Sequence, residues 1–169
     1  SVVLAAHREG RGSVAWWNGA VAARLRRASP LDYGERHGVG DPVLVTRNQR
    51  ALGLSNGDLG VVIDDAGRRR LSFEGDRSYP EGGVGFTEAA WALTIHKSQG
   101  SEFDHVTVVL PDAGSPLLTR ELLYTGVTRA RRSVTVVGSR AAIDEAVSTD
   151  VERVSGLTYR LALSASPAP

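Results

Sequence analysis

The sequence predicts an α/β protein: a mostly parallel sheet interrupted by a small β-rich insertion. Three observations carry that expectation. Short apolar runs alternate with helical stripes near both ends of the chain. Closely spaced β-like runs, separated by turn residues, fill the middle. Residues 91–106, WALTIHKSQGSEFDHV, pass from an apolar run into a polar, glycine-containing loop and back into apolar chain. A buried strand that empties into such a loop is how an α/β domain presents a ligand site at a strand's carboxyl end.

Taken in order, residues 1–6 form a short buried strand closed by His7-Arg8-Glu9-Gly10. Gly12-Ser13 offers a helix start, and Ala15, Trp16, Ala20, Ala23 and Leu25 supply a helical stripe as far as Arg27, where Ser29-Pro30 ends it. PVLVTR (42–47), LGVVID (59–64) and RLSFE (70–74) are β-like, with turns at Asn56-Gly57-Asp58 and Asp65-Ala66-Gly67. Short strands so close together predict a small antiparallel barrel over residues 38–88. Beyond Trp91 the pattern predicts a strand to Ile95, the polar loop, a strand at 106–110 and a loop at 111–116. Thr119 caps a helix at 120–131, followed by a strand at 133–137 and a helix at 141–147. Residues 164–169 read as a disordered tail.

The helix expected at 120–131 divides by angle. At about 100° per residue, Leu123, Val127 and Ala130 share one face, and Thr125, Arg129 and Arg132 lie nearly opposite. The first face would pack on the sheet and the arginines would look outward. Gly126, inside this helix, permits close approach of another backbone.

Composition excludes more than it selects. With 169 residues, 41% apolar and 23% charged, the chain suits one ordinary domain, or one domain carrying an insertion. Net charge is +1, so no whole-molecule field draws nucleic acid or membrane, yet residues 119–140 hold five arginines against one acid. Cysteine is absent, which removes disulfides, thiolate metal sites and cysteine nucleophiles. No apolar run approaches the roughly 18 residues of a membrane span, and no signal-peptide pattern opens the chain; a cytoplasmic location is expected. The chain lacks methionine and starts on an apolar segment, which points to a piece of a longer protein.

A P-loop needs Gly-Lys followed by Ser or Thr, but the single lysine among 20 basic residues, Lys97, follows His96. The four histidines lack metal-site spacing, and Asp64-Asp65 is better explained as turn chemistry than as metal ligation. His96-Lys97-Ser98-Gln99-Gly100 only grazes the nucleophile-elbow pattern.

Three segments together resemble a known family. TIHKSQGSEFDHV resembles motif V of superfamily 1 helicases, ELLYTGVTRARRSVTVVG their motif VI, and LAAHREGRGSVAWWN their motif IV. LVTRNQRALGLSNGDLGVVI and VERVSGL narrow the resemblance to the RecD branch, the α subunit of exonuclease V.

The resemblance implies a second RecA-like motor domain of the P-loop NTPase type at 1–37 and 89–163, with an SH3-like barrel inserted at 38–88. It implies ATP as the nucleotide, with Mg²⁺ bound mainly by a first motor domain that this chain lacks. Arg8 and Arg129 match arginines that reach the γ-phosphate, where a guanidinium fork suits phosphate oxygens and the charge of phosphoryl transfer. Glu102 matches the carboxylate near the ribose, with Gly100 letting the backbone come close. Thr94, His96 and Ser98 match residues that touch single-stranded DNA. Partners so implied are single-stranded DNA, the N-terminal motor domain, and RecB and RecC; no membrane partner is expected. The whole subunit would translocate 5′→3′ in double-strand break processing and recombinational repair, and this portion alone would be inactive. Basic residues of the insertion (Arg47, Arg50 and 68–70) are further candidates for holding the strand. Two rival readings remain: a stand-alone nucleic-acid-binding module, and a docking domain without ATPase.

Overall fold

The computed structural model describes residues 1–28 and 37–151. The expected helix stop at Ser29-Pro30, the VERVSGL match and the tail at 164–169 lie outside the described residues. Twelve strands and helices follow in chain order: β1 (Val2–Ala5), α1 (Val14–Ala28), β2 (Pro42–Val45), β3 (Leu59–Asp65), β4 (Arg68–Phe73), β5 (Arg77–Pro80), β6 (Thr87–Ala89), β7 (Ala92–Thr94), β8 (Phe103–Val109), α2 (Arg120–Val127), β9 (Ala130–Val137) and α3 (Arg140–Ser148). They form two sheets, a four-stranded one in the order β7-β1-β8-β9 and a five-stranded one in the order β5-β4-β3-β2-β6.

Every pairing in the four-stranded sheet is parallel. β1, β7 and the second half of β8 are short apolar runs that are largely buried, whereas β9, at the sheet's edge, is exposed along most of its length. Leu4, Ala5, Ala92 and Val108 are completely buried, and α2 and α3 close one face with Leu122, Ala142 and Ala146. The other helix, α1, is pinned by Asn18 rather than by buried apolar side chains. The Asn18 Nδ2 donates to the Ala89 and Ala92 carbonyls at 2.9 and 3.2 Å, and its Oδ1 accepts from the Ala92 N–H at 2.8 Å.

The five-stranded sheet is antiparallel throughout. It contains two strands the sequence did not predict, β5 and β6. The first is polar, and the second has three residues, too few to show alternation. The barrel expected at 38–88 is not closed: β5 and β6 remain the edges, and no pairing joins them among the described residues.

β2 is buried on both sides. Val43 and Val45 join Val62, Leu71 and Phe73 in one apolar cluster, whereas Leu44, pointing the opposite way, enters the cluster that holds Leu4, Leu93 and Val106. The two sheets therefore share apolar contact through Leu44, and Leu59 of β3 packs against the same cluster. Gly60 serves the same packing, since a Cβ there would lie 2.7 Å from the Phe73 ring.

α2 ends earlier than its periodicity predicts. Thr128 caps it, the Arg129 N–H bonds to the Gly126 carbonyl at 3.2 Å, and Ala130 already pairs with Phe103. Ala130 and Arg132 are thus strand residues, and the expected arginine face of the helix does not exist. Pairing with β8 overrides the helical propensity of this arginine-alanine stretch. Gly126 is explained by side chains rather than backbone, because a Cβ there would meet Val108 at 3.2 Å.

Candidate motor site

The segment between β7 and β8 organises the site. Both strands run parallel to β1, so residues 95–102 must travel back along the sheet before β8 can begin. Thr94 is level with Ala5, whose other neighbour is Val109; β8 starts six residues earlier, at Phe103. At about 3.3 Å per strand residue, that return covers on the order of 20 Å. One short segment thereby reaches both ends of the sheet.

At the carboxyl end of the strands it forms a tight turn. The Thr94 hydroxyl accepts from the Lys97 N–H at 3.1 Å, and the Thr94 carbonyl accepts from the Ser98 N–H at 3.1 Å. The Ser98 side chain is fully buried, and its hydroxyl donates to the Ile95 carbonyl at 2.7 Å. This places Ser98 inside the turn, with its hydroxyl directed inward. His96 and Gln99 are exposed and line a cleft of about 320 Å³ with Leu117, Thr119 and Thr125.

At the amino end, Gly100 adopts a φ of +85°, which a glycine takes without strain, and the space beside it is open. Glu102 follows, exposed and 2.9 Å from the Arg131 Nε. Arg129 lies in the two-residue link from α2 to β9. Its Nε donates to the Thr125 carbonyl at 3.1 Å, one Nη donates to the Thr128 hydroxyl at 3.1 Å, and the other to the Ser101 carbonyl at 3.4 Å. Its own carbonyl accepts from the Phe103 N–H at 2.8 Å. A second cleft, about 370 Å³, opens here between the two sheets, with Asp58 and Arg77 on one wall and Gly100, Glu102 and Arg131 on the other.

Arg8 stands elsewhere. It follows β1, and its carbonyl accepts the Ala15 N–H at 3.1 Å, which satisfies a free donor at the start of α1. Its guanidinium meets Glu88 at 3.0 Å, and the other oxygen of that carboxylate accepts from the Lys97 Nζ at 2.7 Å.

The structure therefore brings Gly100, Glu102 and Arg129 together, and gathers Thr94, His96 and Ser98 in one turn. It does not join Arg8 to Arg129 by any hydrogen bond or ion pair among the described residues. The expectation of a site at the carboxyl ends of the strands holds for one half only, because Glu102 and Arg129 sit at the amino ends of β8 and β9. Sequence reasoning missed Glu88 and Arg131 as members of the site. Lys97 stood out as the single lysine, but nothing in the chain signalled its partner 9 residues upstream on another sheet.

Residues 89–137 match the UvrD-like helicase C-terminal domain. Solved structures agree in fold. The Pif1 helicase from Bacteroides in complex with ADP-AlF3 and single-stranded DNA matches 97% of this chain and 46% of its own, with a TM-score of 0.60 at 17% identity. Pif1 helicase from Candida albicans gives 0.54 at 15% identity over 97% of this chain and 50% of its own.

The chain is a helicase C-terminal domain of the RecD family and corresponds to the C-terminal part of those proteins. It is 44% identical to the RecBCD enzyme subunit RecD of Mycobacterium tuberculosis over 94% of this chain and 28% of that protein. Identity to the Haemophilus influenzae subunit is 37% over 83% of this chain and 22% of that protein. The ATP-dependent RecD2 DNA helicase of Deinococcus radiodurans is 39% identical over 61% of this chain and 15% of its own length. The chain thus spans less than a third of the length of these relatives. No described helix is long and apolar enough to cross a membrane.

Proposed function

We propose that this chain is the second motor half of an ATP-dependent 5′→3′ DNA helicase subunit that works within a RecBCD-type enzyme, in double-strand break processing and recombinational repair. The observation that carries the reading is the 95–102 segment, which ties a DNA-facing turn to a nucleotide-facing pair across the height of the sheet. The named relatives are RecBCD subunits, and RecB and RecC are accordingly the partners proposed here.

ATP supplies the phosphoryl transfer whose charge has to be stabilised. The residues present suit it. Gly100 leaves open space for a close approach, Glu102 offers an exposed carboxylate to ribose hydroxyls, and Arg129 offers a guanidinium group to phosphate oxygens, whereas Arg8, at the other end of the sheet, stands beside the DNA-facing turn. Arg129 is steadied by carbonyls on two sides, which limits the reorganisation needed when charge develops. Mg²⁺ and the P-loop belong to the first motor domain. Thr94 and His96 hold single-stranded DNA, and Ser98 shapes the turn that presents them. Movement at either end of the segment is transmitted to the other, because the turn hydrogen bonds leave little slack between Thr94 and Glu102.

The motor half comprises residues 1–37 and 89–163, and residues 38–88 form an SH3-like insertion that helps hold the strand. Its support is the strand order and the 3₁₀ turn Glu81–Gly83 between β5 and β6. By itself this portion has no ATPase activity. In the intact subunit, Arg129→Ala should preserve single-strand binding and lower ATP turnover by about a thousandfold or more. Turnover at the wild-type rate would end the assignment.

A further inference from the structure

Phe86 contributes to neither apolar cluster among the described residues, is 56% exposed, and has a φ of +50°. An aromatic residue rarely takes that left-handed conformation, so its surroundings must hold it there. The Phe86 carbonyl accepts from the Thr46 N–H and from the Thr46 hydroxyl, each at 2.7 Å. Gln49 straps the preceding residue on both sides, donating to the Gly85 carbonyl at 2.7 Å and accepting from the Gly85 N–H at 3.1 Å. Arg47 lies over the ring, its guanidinium carbon 4.6 Å from the centroid. A large ring is thus fixed at its backbone, backed by a cation and presented to solvent.

The neighbours of this ring say what it faces. Phe86 lies two residues before Glu88, about 7 Å along an extended chain. One oxygen of the Glu88 carboxylate takes the Arg8 Nη2 at 3.0 Å and the other takes the Lys97 Nζ at 2.7 Å. Lys97 adjoins His96, the exposed residue of the DNA-facing turn. The segment from Phe86 to Glu88 therefore touches three cations, Arg47, Arg8 and Lys97, and supplies one carboxylate in return.

We propose that Phe86, backed by Arg47, is a stacking platform for a base of the single strand that the turn at 94–99 holds. The inference rests on the DNA-facing role given to that turn above. Excess positive charge suits a phosphate backbone, and an exposed ring suits the bases strung along it. Every base has a π-face, so a phenyl platform grips a strand without reading its sequence, as a motor on any strand requires. Protein docking fits this surface less well, because interface cores are depleted of charge and this ring is surrounded by it.

The test measures binding of the intact subunit, in a salt titration, to oligothymidylate and to an abasic sugar-phosphate strand of the same length. Phe86→Ala is expected to weaken oligothymidylate binding about tenfold. Its affinity for the abasic strand and its salt slope should match wild type, because no phosphate contact is lost. Phe86→Gly, which suits a φ of +50°, should show the same loss with a thermal midpoint at or above wild type, so misfolding does not explain it. Phe86→Trp should keep or tighten the binding, since the larger ring stacks as well. Wild-type affinity in both the alanine and the glycine variants would overturn the proposal, as would an equal loss on the abasic strand. Partner subunits that no longer co-purify with the Phe86 variants, with oligothymidylate affinity intact, would make the ring a protein-docking residue and overturn it too. His96→Ala separates the two levels. If it and the Phe86 variants all bind as wild type, the DNA-facing reading fails together with the platform, whereas if only His96→Ala weakens binding, the platform alone fails.

Discussion

The four parallel strands and the five antiparallel strands use arginine in opposite ways. In the parallel sheet Arg8, Arg129 and Arg131 occupy loops or strand ends, and Arg8 and Arg131 have side chains more than half exposed. In the antiparallel sheet several arginines are spent on the fold. Arg70 donates to the Ser78 hydroxyl at 2.9 Å and to its carbonyl at 2.7 Å. Arg77 reaches the Glu74 carbonyl, the Gly53 carbonyl and the Asp58 carboxylate. Arg69 donates to the His37 carbonyl at 3.3 Å. A basic run such as 68–70 is therefore a poor guide to a binding surface, because antiparallel edges recruit guanidinium groups to satisfy their own carbonyls. Arg47 differs, lying 4.6 Å over the exposed ring of Phe86, and it is the stronger candidate of the insertion for contact with a strand.

The comparison breaks most readily at Leu44. This antiparallel-sheet residue is packed in the parallel sheet's cluster, so Leu44→Ala should remove about 3–5 kcal/mol and loosen both sheets in one transition. Chemical denaturation followed separately by tryptophan fluorescence and by circular dichroism checks this; two resolved transitions would show that the sheets are independent. Gly60→Ala acts inside one sheet, forcing the Phe73 ring aside, and should cost about 1–3 kcal/mol by the same measurement. Ser98→Ala probes the turn. Loss of its bond to the Ile95 carbonyl should cost about 1–2 kcal/mol and weaken oligonucleotide binding indirectly. His96→Ala, exposed on the same turn, should weaken that binding several-fold in a salt titration while leaving the thermal midpoint in place. The smallest effect belongs to Arg131→Ala, whose pair with Glu102 is exposed on both sides and is worth less than about 1 kcal/mol of stability.

How far the sequence could be read depended on what each feature needed. β1, β2, β3, β4 and β8 are apolar or alternating, and their periodicity made them visible. The Asp65-Ala66-Gly67 turn was equally legible, with Ala66 at a φ of +51° and Gly67 at +79° closing the hairpin between β3 and β4. β5 and β6 exist because neighbours supply their hydrogen bonds, so no local pattern announced them. The end of α2 failed for the same reason: Arg129-Ala130-Arg131-Arg132 continues a helix by propensity and becomes a strand by pairing. In the site, Gly100, Glu102 and Arg129 were nominated from motif resemblance, but the end of the sheet they occupy was misjudged. A strand-then-loop pattern says where a loop starts and not where it goes.

From the order of its residues alone, this chain determined an α/β architecture, an interrupted sheet, a polar loop after the strand that starts near Trp91 and the side-chain types suited to phosphate and nucleic acid. These are local properties, set by periodicity, capping and turn chemistry within a few residues. Tertiary structure decided that the 95–102 segment would join opposite ends of the sheet, that Ser98 would face inward, and that Glu88 would gather Arg8 and Lys97. Those outcomes depend on which strands become neighbours. Pairing is chosen by the burial of whole apolar faces, and no window of sequence contains that information.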